Sequence, residues 1–422
     1  MRKAQKQFDV SLPPRKPAVW TKPVVAVGSF FLTLGKGGKV NKINCEGLKP
    51  PFIMLSTHAS MIDFAMAVKA TFPNTPNWVT SIEEFVGREW LLREVGCIYK
   101  RKFTSDITVV KHILNCLIKL KNTVNIYPEA RFSLAGINER VDGALGKLVK
   151  KAKVPLVIFK TYGNFLLSPQ WNKHPYRDVK VHSDMIQVVT KEEVETLSAE
   201  EIQRRIEENF AYDDYAWQYE NKIRIKSKYR AYGIHKILYQ CPHCKTEYST
   251  KSQFTEIWCE ACGKKYVMDE YGRLSATEGE TEFEAVPDWY KWERQNVVEE
   301  VNGGRYKFED DVRVEWLKSS ADGCVPIGTV KLTHDYNGFN LKGKLDDGSD
   351  FELARSPETM RACHIEYDYK ERGNALELCT LKNTYFVFPH KFNTLTKLHF
   401  ATEAIYDYTL KRNEEKHKNE SL

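Results

Sequence analysis

A chain of 422 residues, 42% of them hydrophobic, can bury two or three ordinary cores, which excludes a disordered chain and implies a multidomain globular protein. The net charge of +7 is modest, but residues 1–70 hold 11 Lys/Arg against 3 Asp/Glu, so the basic end is the membrane-facing candidate. No run approaches the roughly eighteen apolar residues of a transmembrane helix, and no secretory signal series is seen, so neither a span nor secretion is expected.

Residues 1–18 are polar and basic and predict a loose arm. Pro23 to Gly35, flanked by Lys22 and Lys36 and preceded by Trp20, predicts either a helix lying in a membrane interface or one whose Val24, Val25, Val27, Phe30, Phe31 and Leu34 pack on the protein's own core. The apolar run Pro51-Phe-Ile-Met-Leu-Ser56 predicts a buried strand, and His58-Ala-Ser-Met-Ile-Asp63 follows it directly. Residues five apart lie about 140° apart on an ideal helix, so His58 belongs in the turn before a helix that carries Asp63. From there the carboxylate can fix the imidazole tautomer and stabilise its protonated form, which makes a base for activating a hydroxyl.

Further along, Gly96-Cys-Ile-Tyr-Lys-Arg-Lys102 sets Lys100, Arg101 and Lys102 beside a glycine. That is either a phosphate grip, with Arg101 the best two-pronged donor, or a solvated basic turn. The runs Phe52 to Leu55, Val124 to Tyr127 and Leu156 to Phe159 alternate with helical stretches such as Ile107 to Leu120, which predicts a mostly parallel sheet with helices on its faces. Tyr127-Pro-Glu-Ala-Arg-Phe-Ser133 follows the second of these runs, and Val154-Pro-Leu-Val157 opens the third.

In that order the four segments resemble the glycerolipid acyltransferase family, whose best-known members acylate lysophosphatidate. The resemblance spans residues 20–225 and implies an α/β fold and transfer of a fatty acyl group from acyl-CoA or acyl carrier protein to a lysophospholipid hydroxyl, 1-acylglycerol 3-phosphate first. It implies His58 as the base, Asp63 as its orienting partner, and Gly96, Lys100, Arg101, Glu129, Arg131 and Ser133 as the acceptor site. Where the family carries Phe-Pro-Glu-Gly-Thr-Arg-Ser, this chain has Ala130 for the glycine and its arginine one position early, at Arg131. Arg101 is therefore expected to carry more of the head-group charge than Arg131. Acylation of another membrane acceptor, a glycolipid or amino-acid lipid, is the alternative; a lipid- or protein-binding module is the contrasting class.

Ser198-Ala-Glu-Glu201 predicts a capping box opening a helix from Glu200 to Phe210, and Tyr212 to Tyr239, rich in Tyr, Lys and Arg, predicts a helical connector with a solvated basic face. Cys241, Cys244, Cys259 and Cys262 form two C-x2-C knuckles, the spacing of a structural zinc ribbon, with rubredoxin-like iron as the alternative. The other six cysteines are scattered singly, which fits a reducing, cytoplasmic compartment. Beyond about residue 280, seven short β-rich segments (312–317, 328–332, 339–342, 351–354, 364–367, 376–378 and 385–388) precede a helical pattern over 394–410. That element order resembles the pleckstrin-homology-like or lipid-binding barrel class. The expected division is 19–225 acyltransferase domain, 226–275 connector and zinc ribbon, and 280–413 β-rich domain. The expected place is the inner face of the membrane, held peripherally, without nucleic acid.

Overall fold

The computed structural model describes residues 8–174 and 177–420. Its N-terminal part is one seven-stranded sheet with helices on both faces. The strands are β1 (Gly37–Ile43), β2 (Ile53–Ser56), β3 (Asn77–Ser81), β4 (Cys97–Lys100), β5 (Val124–Ile126), β6 (Leu156–Tyr162) and β7 (Val181–Val189). The helices are α1 (Thr21–Thr33), α2 (Ile62–Thr71), α3 (Glu89–Glu94), α4 (Ile107–Leu114), α5 (Leu145–Ala152), α6 (Asn164–Leu167), α7 (Lys191–Thr196), α8 (Ala199–Phe210) and α9 (Asp214–Glu220).

The strand order is β1-β7-β6-β2-β5-β3-β4, and only the β6/β7 pair is antiparallel, so the sheet is mostly parallel, as expected. Helices cover both faces, which is why β2 is buried at all four residues and reads as a plain apolar run rather than an alternation. The carboxyl ends of β2, β4 and β5 converge on one side, where an open parallel sheet places its ligands.

Beyond α9 the chain forms a four-stranded antiparallel sheet, β8 (Thr250–Gln253), β9 (Glu256–Cys259), β10 (Lys265–Met268) and β11 (Leu274–Ala276). After α10 (Val286–Asn302) comes a second seven-stranded sheet, antiparallel throughout: β12 (Phe308–Ser319), β13 (Gly323–Asp335), β14 (Gly338–Lys344), β15 (Asp350–Arg355), β16 (His364–Glu366), β17 (Ala375–Cys379) and β18 (Thr384–Pro389). Its order is β15-β14-β13-β12-β18-β17-β16, with α11 (Leu395–Glu420) closing the chain. Six of the seven β-rich segments fall within these strands and the seventh overruns β16 by Tyr367 alone; β12 and β13 alternate inward and outward residues over much of their length, whereas β17 is buried at all five residues. The parts are not independently cored: one cluster of buried side chains runs from Phe52 through Tyr239 and Tyr266 to Ile405, while a second lies on the other face of the N-terminal sheet.

Three local expectations are corrected. Residues 8–18 of the arm, whose first seven residues lie outside the described ones, are tied down: Asn77 donates to the Arg15 carbonyl at 2.7 Å and Arg93 to the Pro13 carbonyl at 3.2 Å. The connector is not a helix beyond α9 and one 3-10 turn at Ile234–Lys236. Its Ile225, Ala231, Ile234, Ile237 and Leu238 are buried at irregular intervals, so the chain wraps rather than coils, and Tyr229 stacks on His174 at 3.6 Å. Ser198 does cap α8, but the reciprocal capping box forms at Thr190 and Glu193, because the Glu201 carboxylate is drawn to Arg204 at 2.6 Å.

Candidate active site

His58 leaves the carboxyl end of β2 in a short loop, and Asp63 sits in the first turn of α2. Asp63 is buried and its acceptor positions are filled. Oδ2 receives the N–H groups of Ala59 at 2.6 Å and Ser60 at 3.1 Å and faces His58 Nδ1 at 3.4 Å, while Oδ1 receives the Asn164 amide. Asn164 Oδ1 in turn receives the Ser60 hydroxyl at 2.6 Å. The imidazole lies between two rings, stacked on Tyr127 at 4.0 Å and tilted against Phe132 at 4.3 Å. With Nδ1 turned to the carboxylate, Nε2 is the nitrogen left to meet a substrate.

Two supporting residues were not anticipated. Asn164 follows Gly163 at the end of β6, and a polar residue after a strand-ending glycine is the signal that marked it. Asp214 receives the N–H groups of Gly163 at 3.1 Å and Phe165 at 3.3 Å and so holds the loop that presents Asn164. Burial pushes its carboxyl up to about 7, the two backbone donors opposing.

The residues expected at the acceptor site part company. Ser133 N–H donates to the His58 carbonyl at 2.8 Å, and its buried hydroxyl bonds the Ile137 carbonyl, so it holds the loop. Glu129 is buried, accepts the Glu139 N–H at 2.6 Å, and is pushed up to about 8, by burial first. Ala130 adopts φ 57°, the left-handed conformation that suits the glycine it replaces. Gly96 makes a close approach, but to the chain itself: a Cβ there would meet Pro17 and Asn77 at 2.8 Å.

The basic triplet divides where the chain leaves β4, which ends at Lys100. Lys100 and Lys102 face a cavity of about 950 Å³ that also touches His58, whereas Arg101 turns away and donates to the Leu381 carbonyl at 3.2 Å. Lys102 is spent on Glu83 and Glu377. Arg131 is spent too, on Glu139 at 3.1 Å, Glu403 at 2.9 Å and the Cys363 carbonyl at 3.3 Å. Burial opposes its charge, but the two carboxylates hold it protonated well above its ordinary value. The expectation that Arg101 grips the head group is thus corrected by its direction, and the same role for Arg131 by its partners.

The cavity is apolar along much of its length, with Val25, Phe64, Leu92, Val109 and Ile113 among its walls. Glu139, His399 and Glu403 converge as three possible metal ligands, but Arg131 and Arg294 already neutralise the two carboxylates. The four cysteines are different. Their sulfurs all lie within 4.8 Å of one another, Cys241 to Cys262 at 3.8 Å and Cys244 to Cys259 at 3.7 Å. A tetrahedral site with metal–sulfur bonds of about 2.3 Å has edges of about 3.8 Å, so the set fits zinc. His243 bonds Glu282 at 3.0 Å instead.

Residues 39–158 match the family model described as Acyltransferase, which covers His58, Asp63 and the whole of the 127–133 loop. This stretch of the chain is similar to acyltransferase domains. The chain is also similar to the 1-acyl-sn-glycerophosphate (LPA) acyltransferase PlsC from Thermotoga maritima, at 18% identity and a TM-score of 0.38, covering 49% of this chain and 81% of that one. No curated protein matches the chain.

Proposed function

We propose that the protein moves a fatty acyl group from acyl-CoA or acyl carrier protein to the free hydroxyl of a lysophospholipid, with 1-acylglycerol 3-phosphate the leading acceptor. The observation that carries this is the His58–Asp63 pair opening onto a long apolar cavity. His58 Nε2 takes the acceptor's hydroxyl proton as the oxygen attacks the thioester carbonyl. Collapse of the tetrahedral intermediate breaks the carbon–sulfur bond, and the imidazolium returns the proton to the leaving thiolate. Asp63 stabilises the imidazolium between the two steps.

Membrane contact belongs to the same reading. Helix α1 is built inside out: Thr21, Ser29 and Thr33 are buried, while Val24, Val27, Phe30 and Phe31 are 56–65% exposed. Only Val25 of its apolar residues packs on the core cluster, and Trp20 stacks on exposed Trp90 beside it. Among the described residues no helix is long and apolar enough to cross a membrane, so a peripheral hold on the inner face through α1 is the form proposed. Zinc in the cysteine set is structural here, since four thiolates leave no open position. The seven-stranded C-terminal sheet with its closing helix supports the pleckstrin-homology-like reading of that part.

One observation favours a different acceptor, the glycolipid or amino-acid lipid class: Arg131 is locked in ion pairs. Full-length protein and its His58→Ala variant, assayed with acyl-CoA against lysophosphatidate, other lysophospholipids and a glycolipid, separate these readings. Transfer to lysophosphatidate, lost in the variant with an unchanged melting profile, supports the first. Transfer that survives the variant ends the mechanism, and transfer only to uncharged acceptors moves the alternative ahead.

A further inference from the structure

The cavity beside His58 has walls from two parts of the chain. The acyltransferase domain supplies Lys100, Tyr127 and Phe132, and the C-terminal sheet domain, far outside the 39–158 match, supplies Thr359, Arg361 and Tyr369. The cations along it differ in how far they are already used. Lys102 holds two glutamates, and Arg131 holds two more together with a backbone carbonyl. Arg361 holds one, Asp142, with Nη2 at 3.3 Å from a carboxylate that is itself 45% exposed. Its Nη1 is buried and has no hydrogen-bond partner among the described residues.

A guanidinium with an unmet buried donor is an incomplete hydrogen-bond site, and the acceptor that completes it can arrive with a ligand. The surroundings suit an anion. Arg361 and Arg131 sit over Phe103, 5.9 and 6.0 Å from the ring centre, and Lys100 is close enough to Arg361 for their charges to repel. Lys100 donates to the Thr104 carbonyl, and the carboxylates of Asp106 and Asp142 also favour its charge. Arg361 and Lys100 are held near each other against mutual repulsion and beside Arg131, with Asp106 and the half-exposed Asp142 as the carboxylates that act on them, and the unmet Nη1 donor leaves a place for a further anion.

We infer that Arg361, assisted by Lys100, binds the anionic head group of the acyl acceptor, a phosphate monoester in the leading case. The appended domain thereby supplies the forked donor that Arg131, captured by Glu139 and Glu403, no longer offers. This rests on the acyl-transfer reading above. The same phosphate chemistry is carried by the thioester donor, so the test varies the two substrates separately.

In full-length protein, Arg361→Ala is expected to raise the KM for lysophosphatidate roughly tenfold to a hundredfold, the loss of a charge-assisted contact, with kcat and the KM for acyl-CoA within about threefold of wild type. Arg361→Lys should recover part of the loss, because an ammonium keeps the charge and not the fork. Since the pair with Asp142 is partly exposed, the variant should fold, which its melting profile checks. A second readout needs no turnover: glycerol 3-phosphate should raise the Tm of the wild type and not of Arg361→Ala. The inference is overturned if the variant matches the wild type in both acceptor KM and glycerol 3-phosphate protection, or if the donor KM alone rises, which would give the anion to the carrier. Absence of any acyl transfer by the wild type would count against the parent reading, and the protection arm would still decide Arg361.

Discussion

Replacing Asp63 by asparagine keeps the shape of the side chain and breaks the pattern of donors around it. Oδ2 faces three donors, the Ala59 and Ser60 N–H groups and His58 Nδ1, and Oδ1 faces the Asn164 amide nitrogen. Asn164 already sets its oxygen on the Ser60 hydroxyl at 2.6 Å, so turning it over to help would have to reverse that bond as well. An amide at position 63 must therefore point its NH2 either at another NH2 or at two backbone N–H groups and the imidazole. The milder choice loses one hydrogen bond to a charged acceptor, about 1.5–3 kcal/mol, and leaves a buried donor unmet. Catalysis loses the charge that stabilises the imidazolium, about 10⁴-fold in kcat where a comparable carboxylate was removed. Thiol release from acyl-CoA measures the second effect and urea unfolding the first. A kcat within tenfold of wild type would refute the role of Asp63. Unfolding unchanged within error would refute the amide conflict, and Asn164→Ala, which removes one donor and leaves the carboxylate, should fall between wild type and Asp63→Asn on both scales.

Purified protein should carry about one zinc per chain by elemental analysis, and Cys259→Ser should lower the Tm far more than it lowers turnover; metal-free protein with the wild-type melting profile contradicts this. Glu129, ordinarily near 4.5 and pushed up to about 8 by burial, keeps its proton in the folded state after the unfolded chain has lost it. Stability present below pH 4.5 is therefore lost as pH rises towards 8, by up to about 1.4 kcal/mol per pH unit, so Glu129→Gln should gain on the wild type steadily from pH 5 to pH 8 in thermal melts. A constant difference across that range would place the proton elsewhere. Phe30→Glu with Phe31→Glu should weaken flotation with anionic vesicles and leave the Tm within a few degrees, since both rings are exposed; equal flotation removes α1 from the membrane contact.

What the sequence revealed follows from the range of the interactions involved. The relation of His58 to Asp63 is local: five residues on a strand–turn–helix path leave little freedom, and the helical-wheel angle alone put the histidine ahead of the helix. The C-x2-C knuckles are local for the same reason, since Lys245 and Gly263, each just after a knuckle, take left-handed φ angles of 65° and 76° that close matching turns. The C-terminal strands were legible where, as in β12 and β13, one face is wet and the residues alternate, and in the fully buried β17 from its short apolar run. The direction of Arg101 was not, because β4 ends at Lys100 and Arg101 is turned by the Leu381 carbonyl, 280 residues away. The distant partners of Arg131 were not, because the Cys363 carbonyl and Glu403 lie 232 and 272 residues along the chain and no local pattern links them to the loop. Nor was the orientation of α1, where polar side chains face the protein and apolar ones face out, the reverse of the usual soluble helix.

The capture of Arg131 has a consequence for how the N-terminal α/β part is held. Glu139 receives Arg131, Arg294 and the Tyr290 hydroxyl, and Glu403 receives both arginines, so two cations and two anions close on themselves with little water. Such a cluster contributes little to net stability as a whole, but removing any one member strands a buried charge at about 3–5 kcal/mol. Its members come from the 127–140 loop, α10 and α11, which binds the C-terminal half to the loop that packs Phe132 against His58 and bonds the His58 carbonyl through Ser133. An arginine moved one place along the chain therefore changes what it can hold. Arg131 fixes to α11 the loop that packs against the base, and under the acceptor reading proposed above the head-group charge falls to Arg361, whose Nη1 has no partner among the described residues.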